Sequence, residues 1–325
     1  MSEPDCVENE DRFVMDSTVQ ESLVSKHTID IRDTILSINN RNTSDTLLIL
    51  NQVINIPFDL FKYLWDARPV RVCADGAANK LYEFISSESG AELSDYIPDY
   101  VVGDLDSITD DIRSYYTSKG CKIIQQHSQY ATDFTKCLKV IRLHNQCASF
   151  TAQLDENQPN YGVDSEKGLL EMCESCHLVS DSINVLALGA IGGRFDQTIN
   201  AITELYNAHR RANEGISLYF LTDTDIILLI PNDGTSVVYG SDDSFRDTLI
   251  GNCGLLPMGN EVMLRQTYGL KWDVSNWKSS IESGIVSSNN RFAATDQCYM
   301  DSDRDFVLNI EYFPEKVAPY LAHDR

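Results

Sequence analysis

Two acidic segments, YVVGDLDS ending at Ser107 and LALGAIGGRFDQT ending at Thr198, carry the residue types that phosphate chemistry needs. In the first, the strand-forming run Tyr100, Val101 and Val102 stops at Gly103, and Asp104 and Asp106 follow at i and i+2. A pleat continued through them points both carboxylates to one side. Two such carboxylates repel until a hard cation neutralises them, and Mg2+ is commonly held by one or two carboxylates together with substrate phosphates. In the second, Gly189, Gly192 and Gly193 let backbone N–H groups approach an anion, Arg194 can fork onto phosphate oxygens, and Asp196 lies near a helix start. Together they predict a metal-and-phosphate site that takes Mg-nucleotide.

Four segments of the first half end a strand or open a helix with polar residues: ADGAAN, GDLDS, QYATDFTK and GGRFDQT. In open α/β sheets ligands sit at the carboxyl ends of strands, so the four are expected to converge. Each also has a purely structural reading. Asp75 before Gly76 suits a turn, Thr132 and Asp133 suit helix caps, and Asp196 suits a first turn. The doubled Asp of GDLDS exceeds what capping requires. A Walker-type GxxxxGK[ST] is absent, GxGxxG does not follow the first strand, and no nucleophilic triad is supported. The DxD spacing also fits phosphatases with an Asp nucleophile and transferases that hold a metal on it.

Strands and helices alternate around these motifs. TLLILNQVI, VRVCAD, YVVGD, CKIIQQ, SINVLALG and ISLYFL read as strands, with helices from Pro57, AANKLYEF, near Thr109, TDFTKCLKVIRLH and FDQTINAITELYNAHRR between them. That alternation predicts an α/β fold with a mainly parallel, helix-covered sheet over residues 46–232. Residues 145–182 read as an insertion outside the sheet. From 233 to 325, SVVYG, EVMLRQTYGLKWDV, GIVSSNNRF and DFVLNIEYF, separated by turn residues, predict a smaller all-β sandwich or barrel. Residues 1–45 are polar without a sustained period and read as an N-terminal extension.

Forty-nine acidic against 26 basic residues give a net charge of -23, which disfavours nucleic acid and anionic membrane as partners. The start lacks the basic and apolar regions of a secretory signal, and no apolar run reaches membrane-spanning length, so a cytoplasmic protein is expected. The nine cysteines then read as reduced thiols. MCESCHLV has the spacing of a covalent haem site at Cys173, Cys176 and His177. Leu169, Leu170, Cys173 and Cys176 nevertheless fall at helical spacing, which favours thiols on a buried face.

From TLLILN almost to the C-terminus the chain resembles the thiamine pyrophosphokinases, the fungal members in particular. VCADGAANKLY, GDLDS, QYATDFTKC, LALGAIGGRFDQT, GNCGLLPMG, GLKWDV and SSNNRF occur in family order. The resemblance implies transfer of the terminal pyrophosphoryl group of ATP to the hydroxyl of thiamine, giving thiamine diphosphate and AMP. It implies a homodimer whose sites lie at the subunit interface. It places Mg2+ on Asp104, Asp106 and Asp133, with Asp133 alternatively accepting a hydrogen bond from the attacking hydroxyl. Arg194 and Lys136 then serve phosphate charge, and Asp75, Asn79, Gln129, Thr132, Gly193 and Asp196 line the nucleotide and phosphates. For thiamine it implies Trp272, whose flat face suits planar or cationic rings, with Ser287, Ser288 and Asn289 as polar contacts. The alternatives are a Mg-dependent phosphatase or nucleotide hydrolase using the DxD pair, and a non-catalytic thiamine or nucleotide sensor.

Overall fold

The computed structural model describes residues 5–36, 44–128, 130–156, 160–163, 167–175, 182–211, 215–240 and 245–323. Contacts divide the chain into two units, Arg41–Thr222 and the combination of Met1–Asn40 with Asp223–Arg325. The N-terminal segment is therefore structured. It forms β1 (Asp5–Glu8), α1 (Ser17–Ser22), β2 (His27–Asp30) and a π-helical turn at Ile31–Ile35, and Met15, Ile31, Ile35 and Leu36 are buried. The strand sequences DCVE and HTID carry no apolar run, and the first is exposed throughout, so neither prints a strand pattern on the sequence.

The α/β unit contains β3 (Thr46–Ile49), α2 (Phe58–Ala67), β4 (Val70–Ala74), α3 (Ala77–Ser87), β5 (Tyr100–Gly103), α4 (Asp110–Ser118) and β6 (Lys122–Gln125). It continues with α5 (Asp133–Gln146), α6 (Ala148–Glu156), β7 (Asn160–Gly162), α7 (Gly168–Ser175), β8 (Ile183–Leu188), α8 (Phe195–Arg210) and β9 (Ile216–Leu221). Its strands pair in parallel in the order β9–β8–β3–β4–β5–β6–β7. β3 and β5 are buried at every residue, as helix cover on a parallel sheet demands. Helix α2 packs Leu60, Phe61, Leu64 and Trp65 into the core, each contributing about 1.5–3 kcal/mol over exposure. The chain runs outward from β3 to β7, then returns to the other side of β3 as β8. The reversal lies between β3 and β8, where a crevice opens at the strands' carboxyl ends.

The segment expected to lie outside the sheet supplies its edge strand instead. β7 pairs with β6, and α7 buries Leu169 and Cys173, while Leu170 is exposed. A three-residue Asn-Tyr-Gly strand carries no pattern by which to be read. Cys176 and His177 lie outside the described residues. Cys6, Cys73, Cys121, Cys137, Cys173, Cys253 and Cys298 are free thiols, whereas Cys147 is disulfide-bonded.

The second unit contains β10 (Asp225–Ile230), β11 (Thr235–Val238), β12 (Ile250–Leu256), β13 (Val262–Tyr268), β14 (Trp272–Ser279), β15 (Ser287–Arg291), β16 (Gln297–Ser302), β17 (Phe306–Tyr312) and α9 (Pro314–His323). Within it β15, β12, β17 and β10 pair antiparallel in that order. A second sheet runs β1–β14–β13–β16–β11–β2, antiparallel except for the parallel β11–β2 pair. Leu255 of the first sheet and Leu264 of the second line one pocket, so the sheets face each other as a sandwich. The unit starts ten residues before the expected boundary at residue 233, because β10 pairs with β17 along its whole length.

Candidate active site

Three strand ends of the α/β unit bring carboxylates together. Asp75 follows β4, Asp104 follows β5, and Asp133 opens α5 after β6. One carboxylate oxygen from each lies within 4.8 Å of the others. Gly103 makes this approach feasible: a Cβ there would sit 2.7 Å from Asp75 Cβ and 3.2 Å from Asp133 Cγ. Burial pushes the Asp75 and Asp133 carboxyls above their ordinary range, with neighbouring carboxylates adding to the effect and, for Asp133, Lys136 opposing it. Partly buried like charges of this kind are the setting that a divalent cation relieves. The donor set is all oxygen, which suits Mg2+.

The pleat does not continue through GDLDS. β5 stops at Gly103 and Leu105 takes φ +64°, so Asp104 and Asp106 are not successive same-side residues of a strand. Asp106 is exposed, accepts a hydrogen bond from Ser107 Oγ at 2.8 Å, and lies outside the three-carboxylate group. Asp75 instead joins that group while bracing the loop, accepting the Ser107 and Ile108 N–H groups at 3.1 and 3.0 Å. Asn79 braces the same loop, donating to the Ser107 carbonyl at 2.9 Å and accepting from Thr109 N–H at 3.2 Å. Thr132 caps α5 through Thr135 N–H. Lys136 is 2% exposed and its ammonium donates to Asp133 at 2.9 Å, so it neutralises Asp133 from beneath. Gln129 lies outside the described residues.

Beside the carboxylates is a pocket of about 280 Å3 at the β3/β8 switch point, lined by Asn51 and Gln52 after β3, Thr132 and Asp133, and Gly189 and Arg194 after β8, among others. Gly193 takes φ +62°, and a Cβ there would overlap the Gln52 side-chain amide. Arg194 precedes α8 as its N-cap residue without capping it. Its guanidinium is 75% exposed and forks onto Asp196 at 3.1 and 2.5 Å. An Arg fork at a helix N-terminus is a phosphate-binding geometry. Asn200, one turn into α8, also lines the pocket and donates to Thr132 Oγ1 at 3.4 Å. Sequence reading missed Asn51, Gln52 and Asn200. The first two lie just past Leu50, beyond the end of β3 at Ile49, inside the run TLLILNQVI that reads as one longer strand in the sequence.

In the β unit, Trp272 opens β14, is 36% exposed, and lines an apolar pocket with Trp277, Leu264, Ser287 and Asn290. Asn290 clamps it, accepting Trp272 N–H at 3.0 Å and donating to its carbonyl at 2.8 Å. Ser287 is half-buried in this pocket, while Ser288 and Asn289 are exposed. The buried member of the SSNN run is thus Asn290, one residue beyond those expected.

Three clustered carboxylates beside a pocket at an α/β switch point, with a separate β-sandwich that carries an aromatic pocket, are the parts that a phosphoryl-transfer enzyme needs. Residues 61–219 match the family profile "Thiamin pyrophosphokinase, catalytic domain" and 246–307 match "Thiamin pyrophosphokinase, vitamin B1 binding domain". Thiamine pyrophosphokinase of Saccharomyces cerevisiae is 41% identical over 329 residues, covering 99% of this chain and all of its own. The crystal structure of the yeast enzyme superposes with a TM-score of 0.89 at 38% identity, covering 97% of this chain and 99% of that one. The Candida albicans enzyme gives 0.80 at 35%, covering 96% and 99%. The chain belongs to the thiamin pyrophosphokinase family.

Proposed function

We propose that this enzyme uses Mg-ATP to pyrophosphorylate thiamine, with the chemistry at the Asp75–Asp104–Asp133 group and the adjoining switch-point pocket. The thiamine hydroxyl oxygen bonds to Pβ of ATP, the Pβ–O bond to the α-phosphate breaks, AMP leaves, and the hydroxyl proton is lost. Asp75, Asp104 and Asp133 would hold the cation, and the exposed Asp106 of the same loop would add a further carboxylate. Held there, Mg2+ would supply charge masking for the triphosphate and polarisation of its phosphoryl oxygens. Arg194, released from Asp196, forks onto phosphate oxygens, and the turn after Gly193 presents backbone N–H groups to them. Asn51, Gln52 and Asn200 hold the nucleotide in register. Such positioning can lower the barrier by about 7–11 kcal/mol. Asp133, paired with the Lys136 ammonium, would accept the hydroxyl proton or hold the ion.

Thiamine binds against Trp272, with Ser287 and Asn290 as polar partners and Ser288 and Asn289 on the exposed side. Support comes from the aromatic pocket within the region that matches the vitamin B1 binding profile. The family resemblance carries the further proposal of a homodimer in which each site joins the two kinds of unit from different subunits. The reading includes a cytoplasmic location, and among the described residues no helix is long and apolar enough to cross a membrane.

The observation that carries the proposal is the carboxylate group beside the Arg194 pocket. Dialysis against a chelator should abolish thiamine-dependent AMP formation and added Mg2+ should restore it. Activity unaffected by chelation would remove the cation from the account.

A further inference from the structure

The N-terminal arm precedes both matched family regions, 61–219 and 246–307, yet it is tied to the strand that carries Trp272. β1 is the edge neighbour of β14, in register Cys6↔Val274, Val7↔Asp273 and Glu8↔Trp272. Opposite residues of an antiparallel pair share a face, which puts Cys6 and Glu8 on the side of Val274 and Trp272. Cys6 accordingly lines the same pocket as Trp272 and Trp277.

The residues after β1 fix the turn that leads into Trp272. Asn9 N–H donates to the Lys271 carbonyl at 2.8 Å, and Asn9 Nδ2 donates to the Leu270 carbonyl at 2.8 Å and to Asp273 Oδ2 at 2.7 Å. Lys271 Nζ returns a bond to the Asn9 carbonyl at 2.6 Å and pairs with Glu8 and Asp11. Asp273, next to Trp272, is buried. Its carboxylate accepts from Thr267 Oγ1, Gly269 N–H and Leu270 N–H, and the arm's Asn9 adds a fourth donor. A buried carboxylate short of a donor is costly, so the Asn9 amide helps to hold the turn around Asp273 in place. Trp272 is therefore held from one side by Asn290 and from the other by the arm.

We propose that residues 6–11 form a positioning element for thiamine: β1 and Asn9 fix the Trp272 ring at its binding angle, and Cys6 walls the pocket beside it. The proposal rests on Trp272 as the thiamine face. Stacking on an aromatic ring depends on the ring's orientation, and an orientation lost in ground and transition states alike raises KM without lowering kcat.

The test compares Asn9→Ala, Asn9→Gln, removal of residues 2–11 and Trp272→Ala in the otherwise full chain. Steady-state kinetics in both substrates, thiamine binding by calorimetry and thermal unfolding are measured for each. Asn9→Ala should raise the thiamine KM on the order of tenfold, and the truncation should raise it further, with the ATP KM and kcat held within about twofold. Asn9→Gln, which keeps the amide, should recover part of the loss. An unchanged thiamine KM in Asn9→Ala and in the truncation, beside a raised one in Trp272→Ala, overturns the proposal alone. So does an equal loss toward both substrates with a lowered melting temperature, which marks the arm as scaffold. An unchanged thiamine KM in Trp272→Ala removes the Trp272 reading itself, and the proposal falls with it.

Discussion

Asp75 and Asp104 differ in what already occupies them. Both Asp75 oxygens accept backbone N–H groups of the 107–108 turn, so Asp75→Asn turns one acceptor into a donor that faces a donor. That change should cost about 1–3 kcal/mol in urea unfolding along with activity. Asp104→Asn should leave unfolding nearly unchanged while lowering kcat at least about a hundredfold, because it removes charge from a cation site rather than a strut. Asp133→Asn should match Asp104→Asn in turnover, and normal turnover would reduce Asp133 to a helix start. Asp106→Asn should lose at least about tenfold at saturating Mg2+; near-normal activity there would leave the ion to Asp75, Asp104 and Asp133. The acidic types of this site and the convergence of their segments were legible in the sequence, but which three carboxylates meet was not. It depends on the positive φ of Leu105, a residue type that gives no warning of such a backbone, and on three strand ends that only the sheet order brings side by side.

At the scale of elements, the proposal assigns one substrate each to the loop after β8 and to strand β14. Gly193→Ala places a Cβ against the Gln52 amide at a left-handed φ, and should raise the ATP KM about tenfold while sparing thiamine. Trp272→Ala should do the reverse, and equal losses for both substrates would make Trp272 a core residue. Helix α5 adds a pH signature. Burial lowers the His144 pKa from its ordinary 6.5, and the ring meets the Tyr100 hydroxyl at 2.7 Å. A depressed pKa means that the stabilisation is complete above pH 6.5 and is lost as pH falls through the lower folded value. Unfolding free energy should therefore drop below pH 6.5, by no more than about 1.4 kcal/mol per pH unit for this one proton, and His144→Gln should flatten the slope. The alternating strands and helices of the α/β unit were legible because strands such as β3, β5 and β8 and helices such as α2 carry buried apolar runs. β1, β2 and β7 were not, because DCVE, HTID and NYG lack the apolar run that marks the equally short β3 and β5, and EVMLRQTYGLKWDV concealed two strands because Gly269, at φ +101°, turns the chain inside it. Helix α9 was missed, with Pro319 interrupting its pattern.

For the whole molecule, the two-unit division came through the sequence as a change of period, while the attachment of residues 1–40 to the second unit did not. Pairing across such sequence separation leaves no local trace. If each site of a homodimer joins different units from two subunits, Asp106→Asn and a severe Trp272 variant should rescue one another when co-expressed. Random exchange makes half the dimers mixed, with one intact site each, so about a quarter of wild-type sites should return. Verified mixed dimers without activity would place each site within one chain. The most direct test of the central claim is a turnover assay that resolves AMP from ADP, with Mg-ATP in the presence and absence of thiamine. AMP should appear only with thiamine and in equal amount to thiamine diphosphate; ADP or phosphate released without thiamine, and no thiamine diphosphate formed with it, would contradict the account.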